Sequence, residues 1–298
     1  MRVEAGQVAV VTGAASGIGR AMVDAFVARG LVVVLADVEK EALERAVAEV
    51  SATGATAEGH VVDVGTPDRL EVLADHVLST YGRVDVICNN AGVVTSRRPV
   101  WEQSFADLEW TTRVNFYGVA NGVRAFVPHM VRAGRGHVVN TASMAGLSTI
   151  PGGGNGVYSA TKHAVIGLSE TLAVELARAA PEVGVTVLCP GPVPSRIHDA
   201  ARNRPASLVA DPPATEPDGL PKPDFGLELQ KVPAEVVAEQ VVDAIESRRA
   251  YVVTAPDIVP LAKARVDALL SALAGEARNR GNAGDAARWG VRTTWEAP

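Results

Sequence analysis

The sequence sets a phenol and an amine four residues apart, in Tyr158-Ser159-Ala160-Thr161-Lys162. On a helix that spacing puts both groups on one face. A free phenol, with a pKa near 10, is a poor base at neutral pH, but a nearby cation stabilises its phenolate. Such a pair could move a proton to or from an alcohol oxygen. A solvated helical pair is the structural alternative. A second cluster is Thr12-Gly13-Ala14-Ala15-Ser16-Gly17-Ile18-Gly19. Glycines permit positive φ and close backbone approach, and the free N–H groups at a helix start suit a pyrophosphate. The spacing is T-G-x-x-x-G-x-G rather than G-x-G-x-x-G, so a tight turn without a ligand stays open. Asp37 follows Gly19 by 18 residues. A carboxylate there can accept hydrogen bonds from an adenosine ribose 2′-OH and repel a 2′-phosphate, which favours NAD over NADP; a helix-capping Asp is the alternative. The turn itself, Ala14-Ala15-Ser16, offers no phosphate clamp, and Lys40 is the nearest cation.

These groups must be positioned by elements that the hydrophobic pattern marks out. Near-continuous apolar runs at Val8 to Val11, Leu31 to Leu35, Val84 to Cys88, His137 to Asn140 and Val185 to Leu188 read as strands covered on both faces. Further strands are expected near Thr56 to Val62 and at Tyr251 to Thr254, about seven in all. Ile18, Ala21, Met22, Ala25 and Phe26 keep the spacing of a helix that buries one stripe, closed by Gly30. A helix is expected to start at Pro233. Strands alternating with helices predict an α/β fold: a Rossmann-type, doubly wound parallel sheet with helices on both faces.

Composition narrows the function classes. The chain has 298 residues, 47% hydrophobic and 21% charged, enough to bury a large core. A net charge of −6 gives no basic field for a phosphate backbone, so nucleic acid is not expected as a partner. The two cysteines, Cys88 and Cys189, lie in apolar runs without metal-ligand spacing, so neither a disulfide scaffold nor a metal site is expected. With no long apolar run and no apolar leader, the expectation is a cytoplasmic protein without membrane contact. Ten prolines fall between Pro190 and Pro233, which excludes a long helix or central strand there. Residues 1–274 are expected to form one dinucleotide-binding and catalytic domain with a substrate-lid insertion at about 192–232. Residues 275–298 are expected to be a tail, in which Trp289 and Trp295 either stay disordered or anchor on a subunit surface.

Taken in order, the motifs resemble those of the classical short-chain dehydrogenases/reductases from about Val8 to Thr254. They are T-G-x-x-x-G-x-G at 12–19, Asp63-Val64, Asn89-Asn90-Ala91-Gly92, Asn115, Ser143, Tyr158 with Lys162, and Pro190-Gly191. The resemblance implies that Tyr158 is the general acid/base for hydride transfer between a substrate carbon and a nicotinamide. Ser143 is implied to orient the substrate oxygen. Lys162 is implied to lower the tyrosine pKa and bind the nicotinamide ribose, and Asn115 to hold a proton-relay water. Cofactor contacts are implied for Gly13, Ser16, Gly17, Ile18, Gly19, Asp37, Asp63, Val64, Asn90, Ala91, Gly92, Pro190, Gly191, Val193 and Ser195. Two departures stand out. Pro151-Gly152-Gly153-Gly154-Asn155-Gly156 lengthens the Ser143 to Tyr158 interval to 15 residues, and Pro192-Val193-Pro194-Ser195 carries Ser195 where the family commonly has threonine.

The implied reaction is the NAD(H)-dependent interconversion of a secondary alcohol and its ketone. An NADPH-dependent ketoreductase and a non-catalytic dinucleotide-binding regulator are the alternatives. Met144, Leu147, Ile150, Trp101 and Val157 suggest an apolar substrate wall, although Arg97, Arg98, Arg196, Arg202 and Arg204 could converge in space. Ser195-Arg196-Ile197-His198 and the long carboxyl tail are similar to a branch containing dehydrogenases of lignin-derived aryl alcohols. The helix after Tyr158 is apolar on more than one side through Leu168, Leu172, Val174 and Leu176, which predicts a homo-oligomer, dimer or tetramer.

Overall fold

The computed structural model describes residues 1–208 and 229–279. Seven strands form one parallel sheet: β1 (Val8–Thr12), β2 (Val32–Asp37), β3 (Ala57–Val61), β4 (Val86–Asn89), β5 (Gly136–Thr141), β6 (Val183–Cys189) and β7 (Tyr251–Val253). Their order is β3-β2-β1-β4-β5-β6-β7. Registers such as Val10↔Val34 and Val10↔Ile87 tie the centre together.

The helices are α1 (Gly17–Val27), α2 (Lys40–Ser51), α3 (Pro67–Tyr81), α4 (Phe105–Thr112), α5 (Gly118–Ala133), α6 (Gly156–Ala179), α7 (Ala234–Ser247) and α8 (Val259–Asn279). Because successive strand side chains point to opposite faces, the β-branched runs feed two cores at once. Val33 and Leu35 pack with α1, α2 and α7, through Phe26, Leu43 and Val241. Val10, Val34 and Ile87 pack with α3, α5 and α6, through Leu73, Phe126 and Leu172. The predicted doubly wound α/β architecture is therefore observed, with helices on both faces.

Differences at element ends have local causes. Helix α1 stops at Val27, and Gly30 takes its positive φ of 78° beyond that end, where the Gly30 N–H bonds Val27 O. Pro233 is the residue before α7 rather than its first residue. The chain divides into a unit ending at Ala255 and a second beginning at Pro256. The expected start of the tail, residue 275, falls inside α8, while the prolines at 212–223 and both Trp289 and Trp295 lie outside the described residues.

Buried polar anchors fix the strand starts. The Asp85 carboxylate, 1% exposed, accepts from the Val8 N–H at 2.9 Å and from two Arg83 nitrogens at 2.7 Å. His137, on β5, is equally buried and meets Thr186 Oγ1 through Nε2 at 2.8 Å. Burial pushes its pKa down to about 3. The unfolded chain therefore binds a proton that the folded chain excludes between the ordinary 6.5 and about 3. This stability is fully present above pH 6.5 and is lost as pH falls toward 3. A His137→Gln variant, compared with wild type by denaturant unfolding at pH 7 and pH 4.5, is expected to lose less stability across that step. An identical pH dependence in both would remove His137 as the cause.

Candidate active site

The sheet order reverses between β1 and β4, and ligands of such sheets bind beyond the strand carboxyl ends at that point. A groove opens there, lined from one side by Gly13, Ser16, Gly17 and Ile18 and from the other by Tyr158, Lys162 and Pro190. The turn after β1 needs its glycines. Gly13 has φ +64°, and a Cβ there would lie 2.9 Å from Ala91 Cα. At Gly19 a Cβ would lie 2.1 Å from Gly13 O, so this glycine lets α1 approach the turn and is absent from the groove lining. Ser16 precedes α1 but makes no side-chain capping bond, which leaves first-turn N–H groups directed at the groove. This cradle fits a dinucleotide pyrophosphate.

Asp37 ends β2 and lines the groove. Its Oδ2 accepts from Ala15 N–H at 2.9 Å and its Oδ1 from Glu39 N–H at 3.0 Å, so the carboxylate is fixed by backbone donors. Lys40 is directed elsewhere, toward Glu44 at 3.9 Å. The cations nearest this end come instead from the segment after β6. Arg202 binds Glu39 through both ends of its guanidinium, and Arg196 and Asn203 reach the same carboxylate. The Arg202 bond holds the Glu39 carboxyl below its usual range. Sequence reasoning did not pair these residues, because 163 positions separate them.

Asp63, Val64, Asn90, Ala91, Gly92 and Ser195 also line the groove, as expected. Asp63 is held by Gly65 N–H at 2.9 Å, and Asn90 by Thr12, whose Oγ1 receives the Asn90 N–H at 2.9 Å. Gly191 and Val193 are not in the lining: the Gly191 N–H donates to Thr254 Oγ1 at 3.0 Å, and Val193 packs against the α1 side of the core.

The reactive end is built on β5 and α6. Ser143 follows β5, its Oγ accepts from Ala145 N–H at 3.1 Å, and it lies near enough to Tyr158 to favour the ionised phenol. Lys162 is 2% exposed, donates from Nζ to Thr141 O at 2.9 Å, and lies 5.7 Å from the Tyr158 ring centroid. The two side chains share one face of α6. Desolvation pulls the Lys162 pKa down to about 8. Burial raises the Tyr158 phenol above its ordinary value, and only Ser143 opposes it. The ammonium is bonded to a carbonyl and lies over the tyrosine ring. Asn115, in a π-helical turn at Arg113–Tyr117, is fully buried. Its amide bonds both backbone groups of Val93, at 2.8 and 2.9 Å, and Thr161 Oγ1 at 3.2 Å, so its side chain pins the loop after β4.

The apolar wall differs from the one predicted. Trp101 is 83% exposed and outside the groove, and Leu147 packs against the β6 side of the core. Val93, Trp110, Val114, Ile197, Ala200 and Leu208 line it instead. The i, i+4 pair Trp110 and Val114 was a readable signal for this. Of the five arginines, only Arg196 and Arg202 converge, on Glu39. Arg97 Nη2 donates to Gly153 O at 3.0 Å and Arg98 N–H to Gly154 O at 2.9 Å, which ties down the long glycine loop. Arg204 meets the buried Asp107 at 2.6 Å over the Trp110 ring. Cys88 and Cys189 are both free and buried.

Comparison with known proteins agrees with this geometry. The family model described as short chain dehydrogenase matches residues 7–206. A crystal structure of a short chain dehydrogenase/reductase from Burkholderia phymatum in complex with NAD superposes with a TM-score of 0.83 at 39% identity, covering 90% of this chain and 96% of that one. The C alpha-dehydrogenase of Sphingobium sp. (strain NBRC 103272 / SYK-6) is 33% identical over 85% of this chain and 81% of its own. The 1-deoxy-11-beta-hydroxypentalenate dehydrogenase of Streptomyces exfoliatus is 41% identical over 62% of this chain and 66% of its own. With a cofactor cradle, a Ser-Tyr-Lys cluster and a matching sheet in one molecule, the chain belongs to the classical short-chain dehydrogenase/reductase family of oxidoreductases.

Proposed function

We propose that this protein oxidises a hydrophobic secondary alcohol to its ketone, or the reverse, with NAD(H). The observation that carries the reading is the meeting of Tyr158 and Lys162 at one end of a groove, with the buried Ser143 behind them, whose other end presents Asp37 beyond a glycine cradle. The bound dinucleotide supplies a hydride acceptor or donor. Gly13, Ser16, Gly17, Ile18 and Gly19 form or shape the pyrophosphate cradle, Asp37 takes the adenosine ribose, and Asp63, Val64, Asn90, Ala91 and Gly92 border the adenosine. Pro190 and Ser195 shape the far end, and Gly191 and Val193 hold the loop between them against Thr254 and the core.

In the oxidising direction the Tyr158 oxygen takes the hydroxyl proton as hydride leaves the carbinol carbon; in reduction it returns that proton to the forming alkoxide. Ser143 donates to the reacting oxygen and fixes its position. Lys162 provides positive charge beneath the phenol, and Asn115 is a positioning residue that holds the loop beside it. The apolar lining of Val93, Trp110, Ile197 and Leu208 favours an uncharged, hydrophobic substrate, and the likeness to two relatives named as dehydrogenases, one of a hydroxypentalenate, supports the same class. The segment 192–208, tethered through Arg202 to Glu39 and through Arg204 to Asp107, acts as the described part of a substrate lid. We place the enzyme in the cytoplasm as a homo-oligomer; the half-exposed Val174 on the outer side of α6 supports the second point. An NADPH-dependent reductase is the second reading, favoured by Arg196 and Arg202, which line the same groove as Asp37.

Turnover of a panel of secondary alcohols tests the reading. Wild type is expected to prefer NAD, and Tyr158→Phe to lose about 10²- to 10⁴-fold in kcat/KM. Equal rates in the two would end the proton-transfer role. Asp37→Ser is expected to shift the NAD to NADP ratio of kcat/KM toward NADP by about tenfold or more, since 1.4 kcal/mol of lost repulsion is one decade; an unchanged ratio would show that Asp37 does not set the choice.

Lys162 gives a stability signature as well. Its folded pKa of about 8 lies below the ordinary 10.5, so the unfolded chain holds the extra proton between those values. Stability should then rise with pH from about 8 to 10.5, by up to about 3 kcal/mol, and Lys162→Met should lack that rise. Parallel unfolding curves at pH 7.5 and 10 check this, and equal pH dependence in both proteins would contradict it.

A further inference from the structure

Strand β3 forms one edge of the sheet. Its alternation directs Glu58 and His60 to the face covered by α3, since Glu58 pairs in register with Val34 and His60 with Ala36, both on that face. Gly59 points the other way, where a Cβ would meet Val47 and Leu43 of α2. Opposite, α3 presents His76. The three side chains offer ligand atoms that all lie within 4.8 Å of one another, and each is partly buried. None of them lines the dinucleotide groove.

We propose that Glu58, His60 and His76 form a binding site for a divalent transition metal of the zinc class, independent of the oxidoreductase site. Two separations carry the argument. Glu58 Oε1 lies 3.3 Å from His60 Nε2 and 3.1 Å from His76 Nε2. Ligands about 2.0–2.1 Å from a tetrahedral zinc stand about 3.4 Å apart, so two edges of such a tetrahedron are already formed. The third edge lies between the imidazoles, whose ring centroids are 4.6 Å apart, and rotation of the 41% exposed His76 side chain can shorten it. Three protein ligands of this type leave a fourth position for water. Two imidazole nitrogens and one carboxylate suit zinc, copper or nickel, and disfavour calcium and magnesium, which prefer all-oxygen sets.

The surroundings fit the same reading. Tyr81, at the end of α3, has its phenol raised by burial and by the Glu58 carboxylate, which places that carboxylate beside a polar neighbour able to orient it. An ion held here would fasten the edge strand β3 to α3. It would bind the folded chain but find no assembled site in the unfolded one, and so would stabilise the fold. Sequence spacing gave no sign of the site, because β3 and α3 supply its ligands from positions 16 to 18 residues apart and only the sheet geometry brings them together.

The test uses the untagged full-length protein, freed of metal with a chelator, and Zn²⁺ alone as the titrant in calorimetry, with Co²⁺ as a visible-absorption probe. Wild type is expected to take up one Zn²⁺ per chain, to melt higher with Zn²⁺ but not with Mg²⁺, and to give the intense visible bands of tetrahedral Co²⁺. His76→Gln and His60→Gln are each expected to weaken binding by about tenfold or more. Both positions are partly exposed, and melting in chelator verifies that each variant folds, so either variant decides the question without the other. Absence of saturable Zn²⁺ uptake by wild type would overturn the proposal. So would uptake that neither substitution weakens, which would assign the ion to other histidines.

Discussion

The reactive end of this molecule depends on one buried contact, the bond from Lys162 Nζ to Thr141 O. An ammonium this deeply desolvated is expensive unless it is hydrogen-bonded, and the carbonyl at the end of β5 meets that need. The bond locks α6 to the carboxyl end of β5, just before Ser143, so Tyr158, one helical turn earlier, is held near the serine. Gly146 makes the approach possible: a Cβ there would lie 2.7 Å from Lys162 O. Strand end, short turn and helix start thus form one rigid block.

Burial and charge pull the two members of the pair in different directions. Desolvation raises the phenol and lowers the amine, so both are held closer to their neutral forms than in water. Desolvation favours the protonated phenol, and positive charge near its oxygen favours the phenolate. At the opposite end of the groove the balance is between carboxylates and guanidiniums. Asp37 is fixed by backbone donors, while Glu39 gathers Arg196 and Arg202. The same contacts tie the segment after β6 to the turn after β2.

Much of this was legible in the sequence, for identifiable reasons. Strands such as Val32–Asp37 are buried on both faces and therefore read as near-continuous apolar runs. Gly13, Asp37, Ser143, Tyr158 and Lys162 could be found because each is demanded by a local geometry: a positive φ, a strand end, a four-residue helical step. The parts that were not legible are tertiary. Trp101 looked like a pocket wall and is exposed, whereas Trp110 and Leu208 meet only once the segment after β6 folds back over α4. The Arg202–Glu39 bond and the Glu58, His60, His76 cluster have no local spacing to betray them. The raised Tyr158 phenol is likewise a product of burial, which a four-residue motif does not encode.

The central claim is that desolvation raises the Tyr158 phenol despite Lys162 over its ring, and that bound NAD⁺ offsets this rise. Its pKa can be read by NMR of protein labelled at the tyrosine ring carbons, with Tyr158→Phe identifying the signal, before and after NAD⁺ is added. The account predicts titration above pH 10 in the dinucleotide-free protein and a fall once NAD⁺ is bound. A phenol already titrating below pH 10 without dinucleotide, or one that does not respond to NAD⁺, would contradict it.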